Sequence, residues 1–161
     1  TIGFADLVGF TAFTEQADAE AFMTAMVHFE REVQDAVVDH GGTVVKLIGD
    51  EVMFATPDPL SAVHVAAALV GIGQDIAGLD GMRVGLAYGQ VIRSGGDFYG
   101  TVVNTAARIV GQAYPDSIVA TQSIADHLAA SEPENSCEIQ PLGPHDLRGI
   151  KHRVELYRIR P

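Results

Sequence analysis

The sequence predicts an α+β fold: a ferredoxin-like βαββαβ core followed by additional α/β elements toward the C-terminus. Three observations carry this. Residues 44–55, VVKLIGDEVMFA, place two apolar runs on either side of Gly49-Asp50, the signature of a tight hairpin. Phe22, Met26, Phe29, Val33 and Val37 recur at three- and four-residue spacing, so a long amphipathic helix precedes that hairpin. From the N-terminus the elements then run strand, helix, strand, strand, helix, strand. With no internal repeat, low-complexity segment or linker, residues 1–161 are expected to form one domain.

In order, Thr1–Leu7 is short and mostly apolar and reads as a strand. Gly9-Phe10-Thr11 turns into a helix over Glu15–His40, with Thr14 as its expected N-cap and Gly41-Gly42 as its break. Thr43–Ile48 and Glu51–Ala55 are the hairpin arms. Pro57-Asp58-Pro59 opens an Ala- and Val-rich helix from Leu60 to about residue 77. Leu79-Asp80-Gly81 turns the chain into the strand Met82–Tyr88, followed by an extended Gln90–Arg93. Ser94-Gly95-Gly96 is expected to be flexible, and Asp97–Gly100 leads into a helix over Thr101–Gln112. Tyr114-Pro115-Asp116 breaks that helix before a strand at Ser117–Thr121 and a helix at Gln122–Ala130. Ser131–Ser136 reads as a polar loop, and residues 138–147, with Pro141, Gly143 and Pro144, as poorly periodic. Arg153–Ile159 alternates and predicts a final strand.

At 47% hydrophobic and 19% charged residues, the composition is that of a globular chain rather than a disordered one. No apolar run reaches the length of a membrane span. Val63–Ile76 comes nearest, but its His64, Gly71, Gly73 and Gln74 mark a buried helix. The chain opens on Thr1, inside a strand-like run, as a piece cut from a longer protein would; attachment to a membrane through flanking segments stays open. The one cysteine, Cys137, suits a reducing compartment, so a cytoplasmic domain is expected. The six histidines lack zinc-ligand spacing. A net charge of −11 excludes a general nucleic-acid binder. Five of the ten basic residues, Arg148, Lys151, Arg153, Arg158 and Arg160, nevertheless fall in the last fourteen positions. Such a cluster suits a small polyanion.

Two strand ends carry chemistry. Asp6 closes the first apolar strand and Asp50 sits at the hairpin tip. Either alone is an ordinary turn residue. In this core the first strand and the hairpin lie side by side, so both carboxylates converge at one sheet end, where a hard divalent ion finds oxygen ligands. Asn104 and Arg108 are four apart on a predicted helix and share a face.

FADLVGFT, KLIGDEVM and DFYGTVVNTAARI, in that order, together with LRGIKHRVELY near the end, resemble the catalytic domain of the class III adenylyl and guanylyl cyclases, in particular the short-armed bacterial type. The resemblance runs essentially from end to end. It implies the palm-like cyclase fold and attack of a ribose 3′-oxygen on the α-phosphate of its own nucleoside triphosphate, assisted by two metal ions, Mg²⁺ or Mn²⁺. Asp6 and Asp50 match the family's metal carboxylates, and the Leu7 carbonyl matches a further metal ligand. Asn104 matches a ribose-orienting residue, Arg108 a transition-state stabiliser and Lys151 a phosphate-holding lysine, with Arg148 as a rival for that last role.

Lys46 and Asp97 match the base-selecting pair of the adenylyl branch, which implies ATP as substrate. The same resemblance implies a homodimer with active sites at the interface, each built from both subunits. It implies neither nucleic acid nor membrane as a partner of the domain itself. The segment from Gly85 to Asn104 is shorter than in many family members, which carry a longer dimerisation arm there. A guanylyl cyclase, a non-catalytic dimerisation module of the same fold and a diguanylate cyclase are the competing readings. The last is suggested by Gly95-Gly96-Asp97, a triplet that precedes a helix rather than sitting at a hairpin tip.

Overall fold

A computed structural model describes residues 1–131 and 137–161. Most of the expected polar loop at Ser131–Ser136, residues 132–136, lies outside the described residues. The elements are β1 (Ile2–Leu7), α1 (Phe10–Gln16), α2 (Ala19–Asp39), β2 (Thr43–Ile48), β3 (Glu51–Ala55), α3 (Pro59–Asp75), β4 (Met82–Ala87), β5 (Ile92–Ser94), β6 (Asp97–Tyr99), α4 (Thr101–Ile109), β7 (Ser117–Thr121), α5 (Gln122–Ala129), β8 (Glu138–His145) and β9 (Val154–Arg160). A single 3₁₀ turn, Val110–Gln112, extends α4.

Seven strands form one sheet in the order β2-β3-β1-β4-β7-β9-β8. Its first four strands are antiparallel neighbours, the ferredoxin-like arrangement that the element order predicts. β7 joins β4 in parallel, and β9 and β8 continue antiparallel. Side chains alternate across the sheet. Ala5, Leu7, Phe54 and Leu86 turn to one face, under Phe29, Val33 and Val37 of α2 and Ala66 and Leu69 of α3. Ile2, Phe4, Met53 and Ala87 turn to the other, under Ala106 of α4 and Val110. Asp6, two residues beyond Phe4, belongs to this second face. α4 covers it only in part, so the hairpin arms and their polar residues remain open there.

The close seat of α4 depends on Gly85. A Cβ there would run into the backbone N of Val110 and stand 2.9 Å from the Ala106 carbonyl oxygen. Neither backbone atom can yield without moving the helix. Gly85→Ala is expected to destabilise the domain by about 2–3 kcal/mol, a fall of roughly 5–10 °C in melting temperature for a chain of this size, read by thermal denaturation.

Three expectations are corrected. The helix expected over Glu15–His40 with Thr14 as N-cap is two helices. Ala17 is extended (φ −75°, ψ 142°), and the Oδ1 of Asp18 accepts from the Ala21 N–H at 2.8 Å, so Asp18 is the cap of α2. Thr14 lies within α1, where its hydroxyl donates to the Thr11 carbonyl. A capping carboxylate one turn later outcompetes continuation of the helix, and the Phe22 ring packs near Phe10 and Phe13 across the elbow. Ser94-Gly95-Gly96 forms the turn of a small β5–β6 hairpin, with Ser94 opposite Asp97 and both glycines at positive φ, so Gly95-Gly96-Asp97 does sit at a hairpin tip, contrary to expectation. Residues 138–145 form a strand despite Pro141 and Pro144. β8 is the sheet's edge, where a missing N–H can face solvent, and a register shift between Pro141 and Gly143 absorbs the irregularity.

Candidate active site

One end of the open face gathers the acids. Gly49, at φ 64°, lets the chain reverse between Ile48 and Glu51, which leaves Asp50 at the tip. The register places Asp6 between Glu51 on one side and Arg83 on the other. The Asp6 and Asp50 carboxylates stand within hydrogen-bonding reach of each other. Burial pushes the Asp50 carboxyl above its usual range, and the neighbouring Asp6 charge adds to this. Arg83 answers part of that charge: its Nε donates to Asp6 Oδ2 at 2.8 Å and its Nη2 to the same oxygen at 2.5 Å. Asp6, Leu7, Asp50 and Arg83, with residues 8–12, line a cleft of about 500 Å³.

Glu51 borders the same acids. Burial raises its carboxyl, as do the Asp6 and Asp50 charges, while Arg108 and Arg83 pull it back down. Among the described residues no group of three or more His, Cys, Asp or Glu side chains has metal-binding geometry. The oxygen donors brought together here are the two carboxylates, with Leu7 lining the same cleft. Two carboxylates held this close repel unless a cation or a proton lies between them. Hard oxygen donors suit Mg²⁺ or Mn²⁺, so these residues fit a divalent ion.

The remaining candidates lie elsewhere on the open face. Lys46, opposite Met53, donates to Asp97 Oδ2 at 2.6 Å. Asp97 is further held by the Phe98 N–H at 2.8 Å, and the bond from Lys46 is the main reason its carboxyl is held below the usual range. A one-residue bulge between Val44 and Lys46 sets the lysine on this face. Asn104 and Arg108 are both exposed on α4, whose buried side is Thr105, Ala106 and Ile109. Lys151 and Arg148 are exposed in the β8–β9 connection, which Leu147, 3% exposed, anchors in the core. An Arg153–Asp146 ion pair at 3.0 Å spans that connection. None of Lys46, Asp97, Asn104, Arg108 and Lys151 lines the acidic cleft. One protomer thus carries an acidic cleft and, outside its lining, a second set of polar residues, of which Arg108 lies near enough to Glu51 to lower its carboxyl.

Arg83 and Glu51 were not singled out in the sequence. Arg83 is a lone cation at the start of the apolar run MRVGLA, which is a signal. What it faces depends on its register with a residue 77 positions away.

The adenylate and guanylate cyclase catalytic domain family matches residues 1–161. The chain belongs to this family. An adenylate cyclase of Streptomyces coelicolor is 37% identical over 127 residues, which are 79% of this chain and 33% of that protein. A pH-sensitive adenylate cyclase of Mycobacterium tuberculosis is 32% identical over 163 residues, 99% of this chain and 40% of that one. The cyclase domain described here therefore spans about a third to two fifths of the length of these curated relatives. Among solved structures, the catalytic core of a rhodopsin-guanylyl cyclase with converted specificity, in complex with ATPαS, superposes with a TM-score of 0.85 at 22% identity, covering 99% of this chain and 93% of that one. This cyclase domain shares that fold. Among its described residues no helix is long and apolar enough to cross a membrane.

Proposed function

We propose that this cyclase domain is an adenylyl cyclase, converting ATP to 3′,5′-cyclic AMP and pyrophosphate at clefts shared across a homodimer. The observation that carries this is the separation of the two polar sets: an acidic cleft at one sheet end and the Lys46–Asp97 pair, Asn104, Arg108 and Lys151 outside it. A two-fold axis facing the open sheet faces toward each other brings one protomer's cleft opposite its partner's second set, and builds two identical sites.

Two divalent ions, Mg²⁺ or Mn²⁺, held by Asp6, Asp50 and the Leu7 carbonyl, would acidify the ribose 3′-hydroxyl and offset phosphate charge. In the reaction the 3′-oxygen loses its proton and bonds to the α-phosphorus, and the bond from that phosphorus to the bridging oxygen of pyrophosphate breaks. Asn104 orients the ribose. Arg108 presents a planar fork to the α-phosphate oxygens as charge builds. Lys151, with Arg148 as its rival, and Arg83 hold the terminal phosphates. Breaking of the Arg83–Asp6 ion pair would free the guanidinium for a phosphate and the carboxylate for a cation.

Lys46 and Asp97 read the base. The ammonium donates to adenine N1 and the carboxylate accepts from the N6 amino group. Guanine offers a donor at N1 and an acceptor at O6, so position for position it leaves both side chains facing like partners. The 2.6 Å bond between them keeps donor and acceptor adjacent before substrate arrives.

Incubating the purified protein with Mn²⁺ and either ATP or GTP, and identifying the product, tests this reading. Cyclic AMP from ATP is expected. A preference for GTP would overturn the assignment in favour of a guanylyl cyclase, and turnover of neither would favour a non-catalytic dimerisation module. The double variant Lys46→Glu/Asp97→Cys is expected to lower kcat/KM for ATP by roughly 10²–10⁴-fold, because a site built to hydrogen-bond a substrate discriminates on that scale. Unchanged ATP turnover would remove the pair from base selection.

A further inference from the structure

β9 carries Arg158 and Arg160 on the same face of the sheet, two residues apart. Arg158 lies opposite Val119 of β7 and Gln140 of β8. Its guanidinium carbon sits 5.8 Å from the centroid of the Tyr114 ring, itself 70% exposed. Among the described residues, the Arg158 Nε is buried and has no hydrogen-bond partner, although an arginine has five N–H donors and a charge that buried surroundings penalise unless matched. Tyr114, Ser117, Arg158 and Arg160 border a pocket of about 340 Å³.

The pocket's acids are already engaged. Asp116 borders it, but its Oδ1 accepts from the Met82 N–H at 3.3 Å and its carboxylate lies against Gly81. Glu138 pairs with one terminal nitrogen, Nη1, of Arg160 at 3.0 and 3.1 Å, which leaves that guanidinium's other donors available. In a chain with 21 acidic and 10 basic residues, two neighbouring arginines that keep spare donors beside these carboxylates stand apart. The pocket is also close to the acidic cleft. Ser117 is the register partner of Arg83, and β9 lies two strands from β4, a lateral distance of about 10 Å.

We propose that this pocket is a binding site for a small phosphate oxyanion, separate from the cleft around Asp6 and Asp50. Arg158 and Arg160 hold the anion by charge-assisted bonds, and Tyr114 and Ser117 border it. Orthophosphate from the surroundings and pyrophosphate released by the reaction share this chemistry. The second source rests on the proposed function; the site itself does not.

The test is to follow the Arg158 Nε–H resonance by NMR, assigned by its loss in Arg158→Gln, while titrating the metal-free protein in EDTA with orthophosphate or pyrophosphate. A saturable shift with a dissociation constant on the order of 1 mM is expected for at least one anion. Pyrophosphate binding more tightly identifies the reaction product as the ligand, and equal binding identifies general phosphate. Arg160→Gln is expected to weaken the response roughly tenfold, the worth of one charge-assisted hydrogen bond. Arg83→Gln, with the same melting temperature, is expected to leave it unchanged. A resonance that neither anion moves, or a shift abolished by Arg83→Gln, would overturn the proposal, the latter because the signal would then report the acidic cleft. These binding readouts need no turnover, so a failed cyclase assay leaves them intact.

Discussion

Asp50→Ala is expected to lower cyclic AMP formation by 10²–10³-fold or more, on the order of the loss seen when one preorganised electrostatic contact to a reacting centre is removed. The carboxylate stands at a hairpin tip and carries little packing. Burial and the adjacent Asp6 charge already disfavour its ionised form, so removing it relieves repulsion instead of opening a hole in the core. The melting temperature of the variant is therefore expected to hold or rise slightly. Loss of activity with intact folding, measured by product formation and thermal denaturation on the same preparation, assigns Asp50 to chemistry. A variant that keeps more than about a tenth of wild-type turnover would show that no essential electrostatic contact passes through this carboxylate.

Arg108→Ala is expected to produce a comparable loss, about 10²–10³-fold in kcat with a much smaller change in KM, because its contact strengthens as charge builds on the α-phosphate. Arg108 is exposed on α4, so its truncation is expected to move stability by less than about 0.5 kcal/mol. Arg108→Lys is expected to recover little, since an ammonium presents a point charge where a planar fork is needed. Steady-state kinetics of the two variants checks both expectations. A rise in KM with kcat preserved would make Arg108 a ground-state binding residue.

The sequence carried much of the fold because its strongest signals are local. The stripe through Phe29, Val33 and Val37 is buried in α2, and Gly49-Asp50 forms the hairpin tip. The elbow at Ala17 was missed because Asp18 caps through a bond to Ala21, whereas periodicity alone runs through it. β8 was missed because its prolines suppress the strand pattern, and only its place at the sheet edge makes them tolerable. For the site, the carboxylate pair was legible as two strand ends. Arg83 and Glu51 were not, because what they face is fixed by pairing between strands far apart in sequence. The unpartnered Nε of Arg158 likewise depends on how β9 packs against Tyr114.

The proposed clefts are each built from two protomers. Asp50→Ala and Arg108→Ala homodimers, each almost inactive alone, are to be mixed under conditions where subunit exchange is demonstrated with differently tagged chains. With random reassortment half the dimers are mixed, and each holds one cleft with both residues intact, so activity is expected to return to about a quarter of wild type for a two-fold assembly. Demonstrated exchange with no recovery of cyclic AMP formation would contradict the shared cleft.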